Sequence, residues 1–247
     1  MNFQDLVTIS QGPLGIMNPF SHEKALLTGE AARLSGEMSV IDFGCGNGTL
    51  LGMWGNSFGI SGTGIEIRED ACSNAGELLA KLGLSARIKV FLADASSYDS
   101  EDETFNVAVS LGASQIWGGI AVAIASMKCF LKPDGIIILG DRYWRKDSVA
   151  TEFSREWPEI MTEYEILQSA RENGFDITRV IRSGEEEWDD YESSIWENCL
   201  EWMTENPDHP ETDEVYNYFL RIQDEYLAYG REYIGWAVYI LTPSFSS

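Results

Sequence analysis

Histidine, lysine and paired cysteine are scarce in this chain. Of 247 residues only His22 and His209 are histidines, and the four cysteines, Cys45, Cys72, Cys129 and Cys199, are far apart with no CxxC. Neither a zinc site nor a disulfide framework is suggested, so no metal is expected. The six lysines and eleven arginines face 40 acidic residues, a net charge of −23. Such a field repels polyanions, which argues against nucleic acid and anionic membrane surfaces as partners and leaves neutral or cationic small molecules open. The acidity is also compatible with a salt-adapted proteome. No stretch approaches the roughly 18 apolar residues that span a bilayer, and the first 15 residues lack a basic start and an apolar run. A cytoplasmic protein is therefore expected.

What the chain does have is core material, 44% hydrophobic and 12% aromatic. Its first 150 residues alternate short β-branched runs with helix-period stretches, the pattern of a parallel sheet with crossover helices. Strands are expected at 39–43, 62–67, 88–93, 105–111 and 135–140, a helix at 162–173, a sixth strand at 176–183 and a last one at 233–241. Residues 151–247 hold 23 acidic side chains against 6 basic ones. Within them, 184–230 interrupts the sheet with two expected helices, 188–204 and 212–229, around the breaker NPDHP at 206–210.

The strongest motif is VIDFGCGNGTL (40–50). An apolar strand ends in Asp42 and runs through Gly44, Cys45, Gly46 and Gly48 into a helix, whose free N–H groups lie where a ligand can approach the glycine backbone. Cys45 has no basic neighbour to activate it and reads as a small filler of this loop. In GIEIRED (64–70), Glu66, followed by Ile67, closes the second strand about 20 residues on, where an acid holds ribose hydroxyls in doubly wound sheets. In FLADASSYD (91–99), Asp94 with Ala95 can read an adenine edge, or Asp94 can cap the next helix.

With these motifs the chain resembles the class I S-adenosylmethionine-dependent methyltransferases over nearly its whole length. VSLGASQIWGG (109–119), which includes Leu111, is similar to that family's motif after the fourth strand. LKPDGIIILGD (131–141) is similar to its LKPGG turn, with Asp134 in place of a glycine, and GWAVYIL (235–241) to its antiparallel last strand. Asn18 to Phe20 and the segments GASQIWGG (112–119), GDRYWR (140–145) and REYIGWAVYIL (231–241) look like those of a bacterial group of uncharacterised methyltransferases. The resemblance implies an α/β, doubly wound Rossmann-like seven-stranded sheet with helices on both faces. It also implies S-adenosylmethionine as cofactor, and one domain over 1–247 with an N-terminal flap (1–37) and a helical lid (184–230).

Ligands of such sheets bind beyond the carboxyl ends of the strands. Asp141, Tyr143 and His22 are thus the candidate base or anchor residues, and Trp117, Trp144, Trp188, Tyr191 and Tyr233 the candidate acceptor wall. EEEWDDYE (185–192) in particular suits an amine or other cation by charge and ring face. Arg142 and Arg145 are alternatives for a substrate carboxylate. Two rival readings remain at this stage. A nicotinamide oxidoreductase is opposed by Thr49, which stands where its fingerprint wants a third glycine, and by the surrounding carboxylates. A non-catalytic S-adenosylmethionine-binding protein is not separated by sequence.

Overall fold

The computed structural model describes residues 1–100 and 104–245. Its sheet runs β3-β2-β1-β4-β5-β8-β7, with β1 Ser39–Phe43, β2 Ser61–Glu66, β3 Ile88–Leu92, β4 Phe105–Leu111, β5 Leu131–Trp144, β7 Phe175–Arg182 and β8 Ile234–Pro243. Strands β1 to β5 are mutually parallel, and β8 lies antiparallel between β5 and β7. This is the doubly wound sheet with an antiparallel last strand. Seven strands were expected, and an eighth, β6 (Met161–Thr162), pairs with the end of β5.

Strand β5 differs most from expectation. It starts four residues early, because Leu131 already pairs with Phe105 before an irregularity in register, and it runs on to Trp144, opposite Ile234. Tyr233, expected within the last strand, precedes it.

The helices are α1 Phe3–Gln11, α2 His22–Ala31, α3 Thr49–Phe58, α4 Glu69–Lys81, α5 Ile120–Lys128, α6 Thr151–Glu156, α7 Glu163–Glu172, α8 Glu185–Glu205 and α9 Thr212–Glu225, then a one-turn helix, Arg231–Tyr233. Helix α8 begins three residues before its expected start. The Gly184 N–H donates to Glu187 Oε2 at 2.7 Å, and three glutamates in the first turn complement the helix dipole. Helix α9 ends earlier than expected, since Tyr226–Gly230 winds into a π-helical turn.

Two core clusters flank the sheet. One holds Val40, Leu51, Trp54, Trp188, Tyr226 and Trp236; the other holds Ile41, Phe43, Ile65, Tyr143 and Tyr239. The alternation of Val40 and Ile41 between them is the two-residue period of a strand buried on both faces.

Strand order reverses between β1 and β4, and there the glycine turn leads into α3. Gly48 caps α3 at φ +75°, and a Cβ on it would lie 2.9 Å from the Ala75 Cβ of α4. Gly48→Ala is therefore expected to cost about 2 kcal/mol from left-handed strain and crowding. A urea melt should show a lower midpoint at unchanged slope.

Candidate active site

A cavity of about 800 Å³ opens over the carboxyl ends of the central strands, within the ~300–1,000 Å³ typical of small-molecule and cofactor sites. Its floor comprises Asp42, Gly44 to Gly46, Glu66, Leu111 to Ala113 and Asp141. One wall comes from α1 and residues 15–19. The roof comes from α8 and α9, which contribute Trp188, Tyr191, Glu192 and Ile195, then Tyr218, Arg221, Ile222 and Glu225.

These parts are tied by hydrogen bonds between distant segments. Asn47 Nδ2 donates to the Leu14 carbonyl at 2.7 Å and Asn18 Nδ2 to the Leu111 carbonyl at 3.1 Å, which holds the N-terminal segment against the glycine turn and the end of β4. Tyr191 Oη donates to Gln11 Oε1 at 3.2 Å, and Asn198 Nδ2 to the Ser10 carbonyl at 2.8 Å, which holds α8 against α1. Lys24 pairs with Glu187, joining α2 to the start of α8.

Two carboxylates stand at the strand ends. Glu66 accepts from the Gly46 N–H at 2.8 Å and the Arg68 N–H at 2.9 Å, with Arg68 Nε 3.5 Å away. Asp42 is 2% exposed, and burial, helped by the neighbouring Glu66 charge, pushes its pKa up to about 7. Burial and the same two charges raise the Cys45 thiol well above its ordinary value, so Cys45 is held as the thiol, a small filler. Asp141 accepts from Ser114 Oγ and, at 2.7 Å, from the Arg142 N–H; burial raises its pKa against these bonds.

Of the residues named from sequence, the cavity brings together Asp42, Gly44, Cys45, Gly46, Glu66, Ile67, Leu111, Asp141, Trp188 and Tyr191. Arg142 and Asn18 also line it, whereas Gly48, Asp94, Ala95, Tyr143, His22, Trp117, Trp144, Tyr233 and Arg145 lie outside its lining. Gly48 packs on α4. Asp94 is exposed and caps its own turn, accepting from Ser96 Oγ at 2.7 Å and the Ser96 N–H at 2.9 Å, which holds its carboxyl below the usual range. Ala95 is buried in the second core cluster.

Tyr143 packs on Gly235 across the sheet, close enough that a Cβ there would meet its ring, and His22 is an exposed first residue of α2 beside Gly15. Trp117 stands edge-on to Phe43 at 5.1 Å and Trp144 edge-on to Phe153 at 5.8 Å, while Tyr233 lies under Lys146. Each of these rings has a packing role in its place.

Sequence reasoning did not single out Arg68, Trp157, Tyr218, Arg221, Glu225, Tyr226 and Trp236, all of which line the cavity. The available signal was helical spacing. Tyr218, Arg221, Ile222 and Glu225 recur at three and four residues, as do Trp188, Tyr191, Glu192 and Ile195, so each set shares one helix face.

Comparison with known proteins decides the family. A family model described as "Methyltransferase domain" matches residues 40–135. The fold superposes on a SAM-dependent methyltransferase of Geobacter sulfurreducens in complex with S-adenosyl-L-homocysteine, with a TM-score of 0.90 and 32% identity, covering 97% of this chain and 98% of that one. A counterpart from Thiobacillus denitrificans, also in complex with S-adenosyl-L-homocysteine, gives 0.90 and 31%, covering 98% and 100%. The uncharacterized protein YjhP of Escherichia coli is 30% identical over 98% of this chain and 99% of its own length. The chain belongs to the S-adenosylmethionine-dependent methyltransferases.

Its cofactor is thus S-adenosylmethionine, and the residues present fit that molecule. Gly44 and Gly46 have φ of +74° and +55°, and Cβ atoms there would stand 2.9 Å from the Ala113 Cβ and 3.3 Å from Met17 Sδ. The turn is shaped for close approach to the backbone. Asp42 and Glu66 beside it suit a ligand with a sulfonium, an ammonium and a ribose diol, where a pyrophosphate would be repelled. This chemistry disfavours the oxidoreductase alternative on the same sheet.

Proposed function

We propose that this methyltransferase acts on a small-molecule acceptor, neutral or cationic, taken into the cavity over the strand ends. In this reading the chain is a single domain in which residues 1–37 act as a flap and 184–230 as a lid. S-adenosylmethionine supplies a methyl group made electrophilic by its positively charged sulfur. Glu66 accepts the ribose hydroxyls, Asp42 offsets the ligand's positive charge, and the backbone from Gly44 to Gly46 lies against it. Asp141, rather than Tyr143 or His22, is the side chain we assign to anchor the acceptor, because it is buried and lines the cavity. Trp188 and Tyr191 form part of the acceptor wall. In-line displacement needs mainly alignment and exclusion of water, and an enclosure made by three parts of one chain supplies both.

The observation that carries this reading is the continuity of the cavity from the glycine turn to Glu225 in the roof. The test is to incubate the protein with methyl-labelled S-adenosylmethionine and either the low-mass filtrate or the macromolecular fraction of a cell extract. Label is expected in the filtrate. Label confined to macromolecules, or in neither fraction, would overturn the reading.

A further inference from the structure

The roof carries charge that the proposal above leaves unused. Glu192 on α8 and Glu225 on α9 are half-buried, line the same cavity and repel one another. Among the described residues neither has a Lys or Arg nitrogen within 4 Å, although two arginines are near. Arg142 lies 3.6 Å from Glu159 with its guanidinium 4.4 Å from the centre of the Trp157 ring, and Arg221 lies over Tyr218 at 5.5 Å. The arginines are engaged elsewhere, so the two carboxyl groups lack a cation at contact distance.

Aromatic rings line the same part of the cavity. Trp188 stacks on Tyr226 at 6.1 Å and meets Tyr191 edge-on at 6.3 Å. Trp188 is 7% exposed and lines the cavity, yet its indole N–H has no hydrogen-bond partner among the described residues. Burying an unpartnered donor is costly and calls for a reason. Ring faces beside carboxylates form a receptor for an organic cation, by quadrupole and by charge.

We propose that the acceptor is an amine that is cationic in water, and that Glu192 and Glu225 receive its ammonium group within this ring wall and take the proton it must lose. The inference rests on the small-acceptor reading and deepens it. An ammonium ion has no lone pair and cannot attack carbon. In this proposal the two carboxyl groups together hold one proton and one net negative charge, so a proton from the bound ammonium leaves pair and amine both neutral. Burial favours that uncharged state. The nitrogen lone pair then forms the N–C bond while the S–C bond breaks, and the bonding pair leaves with sulfur as the thioether of S-adenosylhomocysteine. The proton stays on the glutamates until the methylated ammonium product departs.

The electrostatics agree. Burial, with the Glu225 charge and against Arg142, pushes the Glu192 pKa up to about 8, and burial raises Glu225 against Trp157, Arg221 and Arg142, with Glu156 adding to the rise. The phenols facing Glu192, those of Tyr191, Tyr218 and Tyr226, are all raised and stay neutral. A base near the working pH is the efficient kind.

The test uses a quaternary ammonium ion that cannot be methylated at nitrogen, choline, and its uncharged carbon isostere, 3,3-dimethylbutan-1-ol. Each is titrated calorimetrically into protein saturated with S-adenosylhomocysteine. Choline is expected to bind at least tenfold tighter. The preference should vanish in the Glu192→Gln/Glu225→Gln protein while its affinity for S-adenosylhomocysteine and its melting temperature hold, which shows that it has folded. Equal affinities, no binding of either compound, or a preference that survives the double substitution would overturn the proposal. The filtrate experiment separates the two readings. Labelled low-mass product that carries no amine or ammonium nitrogen sinks the amine but leaves the small acceptor standing, whereas absence of low-mass label sinks the small acceptor itself.

Discussion

Glu66→Ala is expected to weaken binding of S-adenosylhomocysteine about a hundredfold, or about 2.7 kcal/mol. A carboxylate accepting hydrogen bonds from a ribose diol contributes through charge-assisted bonds of about 1.5–3 kcal/mol each. The substitution also removes the acceptor that the Gly46 N–H, the Arg68 N–H and the Arg68 guanidinium share. Since Arg68 Nη1 is already buried without a partner among the described residues, the turn loses the group that fixes its shape. Glu66→Gln, which keeps an acceptor oxygen, should lose only about tenfold, consistent with one weakened charge-assisted bond. Calorimetric titration reads both, and an alanine variant within threefold of the unsubstituted protein would remove Glu66 from the cofactor's contacts.

The second large effect is on pH. With its pKa near 7, Asp42 is mostly protonated at pH 6 and mostly ionised at pH 8. If the ionised form receives the cationic ligand, affinity for S-adenosylmethionine rises about tenfold across that interval, and Asp42→Asn flattens the profile. Stability moves the other way. The folded pKa lies above the ordinary aspartate value of 3.8, so the folded protein holds the extra proton and stability falls as pH rises from about 4 to 7. The full penalty, at most about 4 kcal/mol, is present above pH 7. Asp42→Asn should therefore melt higher than the unsubstituted protein at pH 8 and close to it at pH 4. Parallel melting curves at both pH values would show that Asp42 is not the group titrating.

How much of this was legible in the sequence follows from the range of the interactions involved. Strands buried on both faces announce themselves as apolar runs, and the turns after them are marked by glycine and by Asp42 and Glu66. Much of the glycine-turn side of the cavity was accordingly readable, although Gly48, Asp94 and Ala95 lie outside the lining and Arg68 was not singled out. The roof was readable as two helices but not as a surface, because which face of α8 and α9 turns inward depends on packing against α1 and each other. Trp188 and Tyr191 stood out by being aromatic among acids. Glu225 did not, since one more glutamate in so acidic a segment carries no mark of its own. Tyr143 and Trp144 show the converse: adjacent to Asp141, they are drawn into packing by the continuation of β5, and β8 sets its length. Asp94 caps a turn of its own, where the sequence had offered an adenine contact or the cap of a following helix.

The position of the roof in the chain has an architectural consequence. Arg182 at the end of β7 is paired with Ala237 of β8, three residues into that strand. A short hairpin would satisfy this register as well as residues 183–233 do. The sheet therefore does not count the residues it sends out between these two strands, and that excursion can lengthen, shorten or be exchanged without moving a single rung of the ladder. The glycine turn has no such latitude, because its length sets where α3 begins. The portion to which we assign the acceptor is thus the portion free to be rewritten, and the same scaffold can be fitted to a new substrate while its grip on the methyl donor stays fixed.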